Sequence, residues 1–298
     1  MKALKIVAII AEKNKKNKNY INKDLYRLLY NDELFVTAYE KIKSNPSNTL
    51  DSKIQGLDGF SLEDIFKIIS SIRKESYKFQ PAKRILIPKP GKKEKRPIDI
   101  GNVRDKVVLE AIRIILEAIF EPGFEDTSHG FRPNKGCHTA LRDVRVMFRG
   151  SKWFIEGDIR KYFNTIDQEI LISLLKKRID DIRFINLIRK VLNAGYLEFN
   201  IRKTDLIGVP QGNIISPILA NIYLHELDIF MKELSGNFTK GVKRKPRKEY
   251  TQIQTSIAKA RRHGDLTQVK ELRKILLKTL PFDFNDPNYK RLNYVRYA

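Results

Sequence analysis

The sequence has 298 residues, 58 Lys+Arg against 35 Asp+Glu, a formal net charge of +23, and 42% hydrophobic and 31% charged residues. An apolar fraction near the globular average excludes wholesale disorder, and the length suits one large or two ordinary domains with a sizeable core. A cationic surplus of this size points to a polyanionic partner, because clustered Lys and Arg displace counterions from phosphates; an anionic membrane surface is the rival.

The N-terminal apolar run, Ile6 to Ala11, is shorter than the apolar region of a secretory signal, and no segment approaches the ~18 apolar residues of a spanning helix. The single cysteine, Cys137, cannot form an intramolecular disulfide. A soluble protein of a reducing cytoplasm is expected, that of a bacterium first and of an organelle second. Residues 22–43 read as a helix, followed by a loop marked by Ser44-Asn-Pro-Ser-Asn and Gly56-Leu-Asp-Gly59. Ser61-Leu-Glu-Asp64 resembles a capping box that opens a helix to about Tyr77, with Ile65, Ile68, Ile69 and Ile72 on one side. Arg84 to Pro88 and Ile98 to Ile100 read as two strands around the basic turn Lys89-Pro-Gly-Lys-Lys-Glu-Lys-Arg-Pro97. Residues 105–121 read as a largely buried helix stopped by Pro122-Gly123. Trp153-Phe-Ile-Glu-Gly-Asp158 reads as a buried strand with Asp158 at its end, and residues 170–195 as mostly helical. Gly208 to Pro217 is a loop leading into an apolar helix through Leu227, with Pro217 in its first turn. Residues 252–263 and 265–280 carry helical periods, and Leu292 to Ala298 reads as a short strand. Strands and helices mix without regular alternation, which argues an α+β fold.

The charge is concentrated. Residues 83–96 carry a net +6 and residues 232–278 a net +10, so 16 of the 23 surplus charges lie in two patches. A lone run of this kind is a solvated face; two such runs, one of them on helical periods, fit a track for nucleic acid. The chain has no G-x-x-x-x-G-K-[ST] and no G-x-G-x-x-G, and its four histidines lack paired metal spacing. Any metal chemistry must therefore use oxygen ligands. Asp158 ends an apolar stretch, where a carboxylate calls for a cation or for hydrogen-bond donors. It either caps a turn or, with the Ile159 carbonyl, holds a hard cation such as Mg²⁺. Glu156 and Asp167 read as surface or capping groups.

Phe154-Ile-Glu-Gly-Asp-Ile-Arg-Lys-Tyr-Phe-Asn-Thr-Ile-Asp167 resembles motif A of reverse transcriptases, and Gly208-Val-Pro-Gln-Gly-Asn-Ile-Ile-Ser-Pro-Ile-Leu-Ala-Asn221 resembles their motif B. Ser128-His-Gly-Phe-Arg-Pro133, Cys137-His-Thr-Ala-Leu141 and the hairpin that ends in Arg96-Pro97 are similar to group II intron-encoded reverse transcriptases, the maturases. The basic stretch before Tyr294-Val-Arg-Tyr-Ala298 is similar to one branch of that family, and the resemblance covers roughly residues 20–298.

The resemblance implies the fingers and palm of a right-hand polymerase: an N-terminal extension and fingers over 1–150, palm with interleaved finger helices over 151–230, a basic helical insertion over 231–290, and the start of the motif C strand over 291–298. It implies Asp158 as a metal-binding catalytic aspartate, with Ile159 contributing its backbone, and a pair of aspartates after Tyr-Ala. Tyr297 and Ala298 are the last residues given, so this stretch is expected to hold a partial site and to be inactive by itself, with Tyr297 and Ala298 pairing beside 153–158. By the same resemblance Lys89 and Arg96 hold the incoming triphosphate, Phe163 lies under the sugar with Tyr162 as the alternative, and Gln211 lies beside the nascent base pair. The RNA-binding candidates are Lys240, Lys243, Arg244, Lys245, Arg247, Lys248, Lys259, Arg261 and Arg262. Three positions depart from the family pattern: Asn164 stands where Asp is usual, Gln168 where His is common, and Asn213 where a small Gly is common.

The expected function is RNA-directed DNA synthesis together with binding of the parent intron RNA, in splicing and retrotransposition. The cofactor is Mg²⁺, with Mn²⁺ as a substitute. The partners are intron RNA, an RNA template with a DNA primer, and dNTP, with a homodimer compatible and no membrane. The alternative is a non-catalytic module that binds structured RNA. The basic segments lack the Trp- and Phe-rich face that a membrane-surface helix needs.

Overall fold

The computed structural model describes residues 3–44, 59–88, 91, 95–198, 201–203, 208–210 and 212–297. These group into two compact units, one of residues 1–140, 157–228 and 296–298, the other of residues 141–156 and 229–295. No helix among the described residues is long and apolar enough to cross a membrane.

The first unit is built on apolar helices. Helix α1 (Ala3–Lys16), which local pattern did not announce, α2 (Asp32–Ser44), α3 (Leu62–Arg73) and α4 (Val103–Phe120) share a core that includes Phe35, Ile68, Ile72, Ile112, Ile115 and Leu116. The capping box opens α3 as the sequence predicts: the Asp64 amide donates to Ser61 Oγ at 3.4 Å and the Ser61 amide to Asp64 Oδ2 at 3.0 Å. The four isoleucines at its buried face are those expected. The helix ends at Arg73 rather than Tyr77, because Glu75 takes a left-handed backbone (φ 56°) and Tyr77 turns inward to donate to Asp105 at 2.6 Å.

The helix expected over 22–43 is broken. Strand β1 (Asn22–Lys23) pairs in parallel with β4 (Ile179–Asp180), a 3-10 turn spans Tyr26–Tyr30, and only then does α2 begin. The cause is distant in sequence: Asp181 accepts from the Tyr26 amide at 2.8 Å, and Asn22 bonds Arg178 O and Asn14. Asp181 also breaks the helix expected over 170–195, since its carboxylate caps α8 (Ile182–Leu192) after α7 (Gln168–Lys176) has ended.

The basic hairpin is present. Strand β2 (Ala82–Pro88) pairs antiparallel with β3 (Lys95–Ile100), and the sheet continues through β5 (Tyr196–Glu198) to β6 (Ile201–Lys203), in the order β3-β2-β5-β6. The pair Arg84 and Asp99, opposite each other in register, forms a two-pronged ion pair at 2.7 and 2.9 Å, and the Arg84 guanidinium lies 3.2 Å from the centre of the Tyr196 ring.

The second unit holds α10 (Lys248–Arg262) and α11 (Leu266–Lys278), which pack on Ile257, Ala260 and Val269. Bridges Lys240 to Lys290 and Pro246 to Phe282 tie the flanking segments together. Two further helices are α5 (Cys137–Met147), also unannounced by pattern, and α9 (Ser216–Phe238).

Two expected strands do not form. Residues 153–158 are irregular and exposed, with Trp153 82% and Ile155 92% accessible. Of residues 292–297 only Arg296 makes a bridge, and it is parallel to Ser128 rather than beside residues 153–158. Apolar content alone does not make a strand. A strand needs a partner ladder, and the ladder that Arg296 finds is held by its own buried side chain.

Candidate active site

Short helix α6 (Tyr162–Thr165) starts from Lys161 in a left-handed backbone (φ 51°), three residues after the exposed Asp158. The Tyr162 hydroxyl donates to Ala220 O at 2.8 Å, and burial pushes its pKa well above the ordinary phenol value. That hydroxyl is therefore a structural tie. Phe163 is half-buried against the core and stands between Tyr162 and Phe131, with ring centres 5.7 and 6.3 Å away. Asp167 caps α7 through the Ile170 amide at 3.0 Å, and Glu156 is exposed, as expected for capping and surface groups.

The motif B loop is fastened to this segment backbone to backbone. The Gly208 amide donates to Ile166 O at 2.8 Å, the Val209 amide to Phe163 O at 2.7 Å, and Gln168 Nε2 to Gly208 O at 2.8 Å. Gly208 has φ 101°, and a Cβ there would meet Asn164 Cα and two carbonyl oxygens at 3.0 Å. On the other side Gly212 (φ 97°) lies against β3, where a Cβ would come within 2.8 Å of Ile98 Cγ2. Both positions thus need glycine for conformation and for space. The departures from the family pattern find uses here: Gln168 ties the loop, and Asn213 Oδ1 accepts from the Ile215 amide at 3.4 Å just before α9. Lys89 and Gln211 lie outside the described residues; Arg96 pairs with Ile87 in the hairpin, its side chain likewise outside them.

A buried polar node, which sequence reasoning missed, lies behind the site. Arg296 is 8% exposed, and its guanidinium donates to both Asp228 oxygens at 2.9 Å, to Asn221 Oδ1 at 3.1 Å and to Ser128 Oγ at 2.5 Å. Asn221 Nδ2 in turn donates to Gly130 O at 2.8 Å, and the Arg296 amide donates to Thr127 O at 2.8 Å. The available signals were an arginine inside an apolar run and an aspartate seven residues after Asn221, on the same helix face.

Asp158 and the Ile159 carbonyl are fewer ligands than a hard divalent cation takes, and the described residues hold no cluster of at least three His, Cys, Asp or Glu able to bind a metal. These residues do not complete a metal site by themselves. Of the nine basic candidates, Lys240, Lys243, Lys245, Arg247, Lys248, Lys259, Arg261 and Arg262 are exposed. Arg244 is half-buried between the Phe284 and Tyr289 rings, 4.9 and 5.0 Å from their centres, and donates to Gly150 O at 3.0 Å.

Residues 87–239, just over half of the chain, match the family described as reverse transcriptase (RNA-dependent DNA polymerase). The chain therefore belongs to the reverse transcriptase family, whose members use divalent metal ions and fold as α+β. Its sequence is similar to those of intron-encoded proteins. It is 47% identical over 295 residues to an uncharacterized 91 kDa protein in the cob intron of Schizosaccharomyces pombe, covering 96% of this chain and 36% of that one. It is 40% identical over 302 residues to the group II intron-encoded protein LtrA of Lactococcus lactis, covering 98% and 50%, and 40% identical over 284 residues to the putative COX1/OXI3 intron 1 protein of Saccharomyces cerevisiae, covering 95% and 34%. The chain spans half or less of the length of these relatives.

Proposed function

We propose that the full-length protein carrying this chain copies RNA into DNA at a primer 3′-hydroxyl and binds a group II intron RNA, aiding its splicing and retrotransposition. Asp158 supplies one carboxylate to the divalent ion, Mg²⁺ or Mn²⁺. Phe163 lies under the sugar of the incoming dNTP. Lys89 and Arg96 hold its triphosphate, for which a point charge and a planar fork are suited, and Gln211 lies beside the new base pair. The exposed cations of residues 240–262 hold RNA phosphates. The single cysteine fits a reducing compartment, the cytoplasm or an organelle interior.

The observation that most supports this reading is the double fastening of the Gly208–Gly212 loop, to the backbone of Phe163–Ile166 on one side and to β3 on the other. Transfer chemistry requires its groups to be held to within a fraction of an ångström, and a loop fastened in this way is suited to that. Asp158 meanwhile stays exposed and free of structural duty. The test is primer extension on an RNA template by the full-length protein: Asp158→Ala should abolish DNA synthesis and leave intron RNA affinity within about twofold. Synthesis near the wild-type rate would remove Asp158 from the reaction, and a wild-type full-length protein that binds intron RNA but extends no primer would favour the RNA-binding module.

A further inference from the structure

Phe131 combines features that rarely meet in one side chain. Its backbone is left-handed (φ 54°), a region that costs a bulky L-residue energy and in which Gly or Asn is usual. Its ring is 61% exposed, so burial does not offset that cost. The residues on both sides are anchored instead. Gly130 O accepts from Asn221 of the buried node at 2.8 Å. Arg132 is buried, with its guanidinium on Glu121 at 2.9 Å, on Glu125 O at 2.6 Å and on Ser128 O at 2.7 Å. Strain held from both sides by buried polar groups, the Asn221 amide and the Arg132 guanidinium, is the pattern of a residue kept in place for use. The use is indicated by its neighbour, since the ring meets Phe163 edge-on at 6.3 Å and an interplanar angle of 71°. The Phe163 backbone is tied in turn by the Val209 amide, which donates to its carbonyl.

We propose that Phe131 is a positioning residue for sugar selection: it buttresses the Phe163 ring so that the ring cannot yield to a ribose 2′-hydroxyl. This rests on the reading of Phe163 given above. Asn221, Ser128 and Arg296 then act one step further back, by holding the turn that presents Phe131.

The test is the ratio of kcat/KM for dNTP over rNTP in the full-length protein, with melting temperature measured alongside. Phe131→Gly removes the ring and relieves the left-handed strain, so it should hold or raise the melting temperature while the ratio falls about tenfold or more. Phe131→Asn, also at ease in this backbone, should behave alike, and Phe131→Tyr should keep the ratio within about twofold. Combining Phe131→Gly with Phe163→Ala should add little to Phe163→Ala alone, because both act on one ring. A residue that only braced the fold would move the melting temperature and leave the ratio unchanged. If Phe163→Ala lowers the ratio and neither Phe131→Gly nor Phe131→Asn does, the inference fails alone. If Phe163→Ala leaves the ratio unmoved, or the wild-type protein makes no DNA, it falls together with the reading on which it rests.

Discussion

Truncating Asp228 to alanine tests whether the Arg296 node is a keystone of the first unit or an ornament on it. The Asp228 side chain is fully buried, that of Arg296 is 8% exposed, and the pair is two-pronged with both bonds at 2.9 Å. Asp228→Ala leaves the buried guanidinium its bonds to Ser128 and Asn221 and removes its countercharge. Removing one member of a buried pair costs about 3–5 kcal/mol, against about 0.2–1 kcal/mol for exposed pairs. Asp228→Asn keeps the shape and one acceptor, so its loss should be about half as large. Combining Asp228→Leu with Arg296→Met removes both charges and should recover at least about 2 kcal/mol of the loss, since an unpaired buried charge costs more than an apolar pair of similar volume. The measurement is urea unfolding followed by far-UV circular dichroism, comparing midpoints at unchanged m-value. The exposed pair Glu169 and Arg189 is the control, and Glu169→Ala should leave the midpoint in place. An Asp228→Ala loss below about 1 kcal/mol would place the node with surface pairs and refute its role as an anchor of residues 127–130.

Two further outcomes are expected. Changing Lys243, Lys245, Arg247, Lys248, Lys259, Arg261 and Arg262 to Gln should weaken structured-RNA binding and flatten the slope of log K against log salt by about 0.7–0.9 for each phosphate no longer neutralised, at constant melting temperature; Arg244→Gln, which unstacks a guanidinium from two rings, should lower the melting temperature instead, and an unchanged slope in the sevenfold variant would move RNA binding to the 83–96 hairpin. Burial lowers the pKa of His225, whose Nδ1 is buried without a hydrogen-bond partner and whose ring meets Phe124 edge-on. The unfolded chain then binds more protons than the fold just below the ordinary His range, so stability contributed by the neutral ring is present above about pH 6.5 and is lost as the pH falls through that window. His225→Phe should reduce the drop in melting temperature between pH 7 and pH 5, and an identical drop in both proteins would count against the buried neutral ring.

How legible each part was in the sequence follows from the range of the forces that set it. The Ser61–Asp64 box, the Ile65, Ile68, Ile69 and Ile72 face and the two strands of the hairpin are decided within a few residues, and they stand where local pattern puts them, except that β3 begins at Lys95, inside the expected turn, because Lys95, Arg96 and Pro97 find register partners on β2. The breaks at Asn22 and at Asp181 are decided by each other, across more than 150 residues, so a helical pattern ran through both. Residues 153–158 carry the composition of a buried strand but pair with nothing described. Strand character is a relation between segments, and composition reports only one side of it. Asp228 gave the least signal of the node's members, because a lone aspartate on an amphipathic helix reads as surface until the arginine that reaches it, 68 residues later, is located.

The motif residues divide by what the fold already asks of them. Gly208, Gly212, Gln168, Asn213 and Tyr162 spend their chemistry on holding the loop and the short helix together, and Ser128, Asn221 and Arg132 on holding the turn that carries Phe131. A hydroxyl or guanidinium engaged in this way cannot also meet a ligand without undoing its own support. Asp158 and Phe131 are different: both lie exposed, Asp158 on an irregular segment and Phe131 on a turn whose flanking residues Gly130 and Arg132 are held by hydrogen bonds, with the Phe131 ring against Phe163. In a chain whose surplus charge favours polyanions, the proposed roles of Asp158 toward a cation and of Phe163 toward a nucleotide sugar ask for groups that the fold leaves without other work, while the buried node holds the turn that carries Phe131.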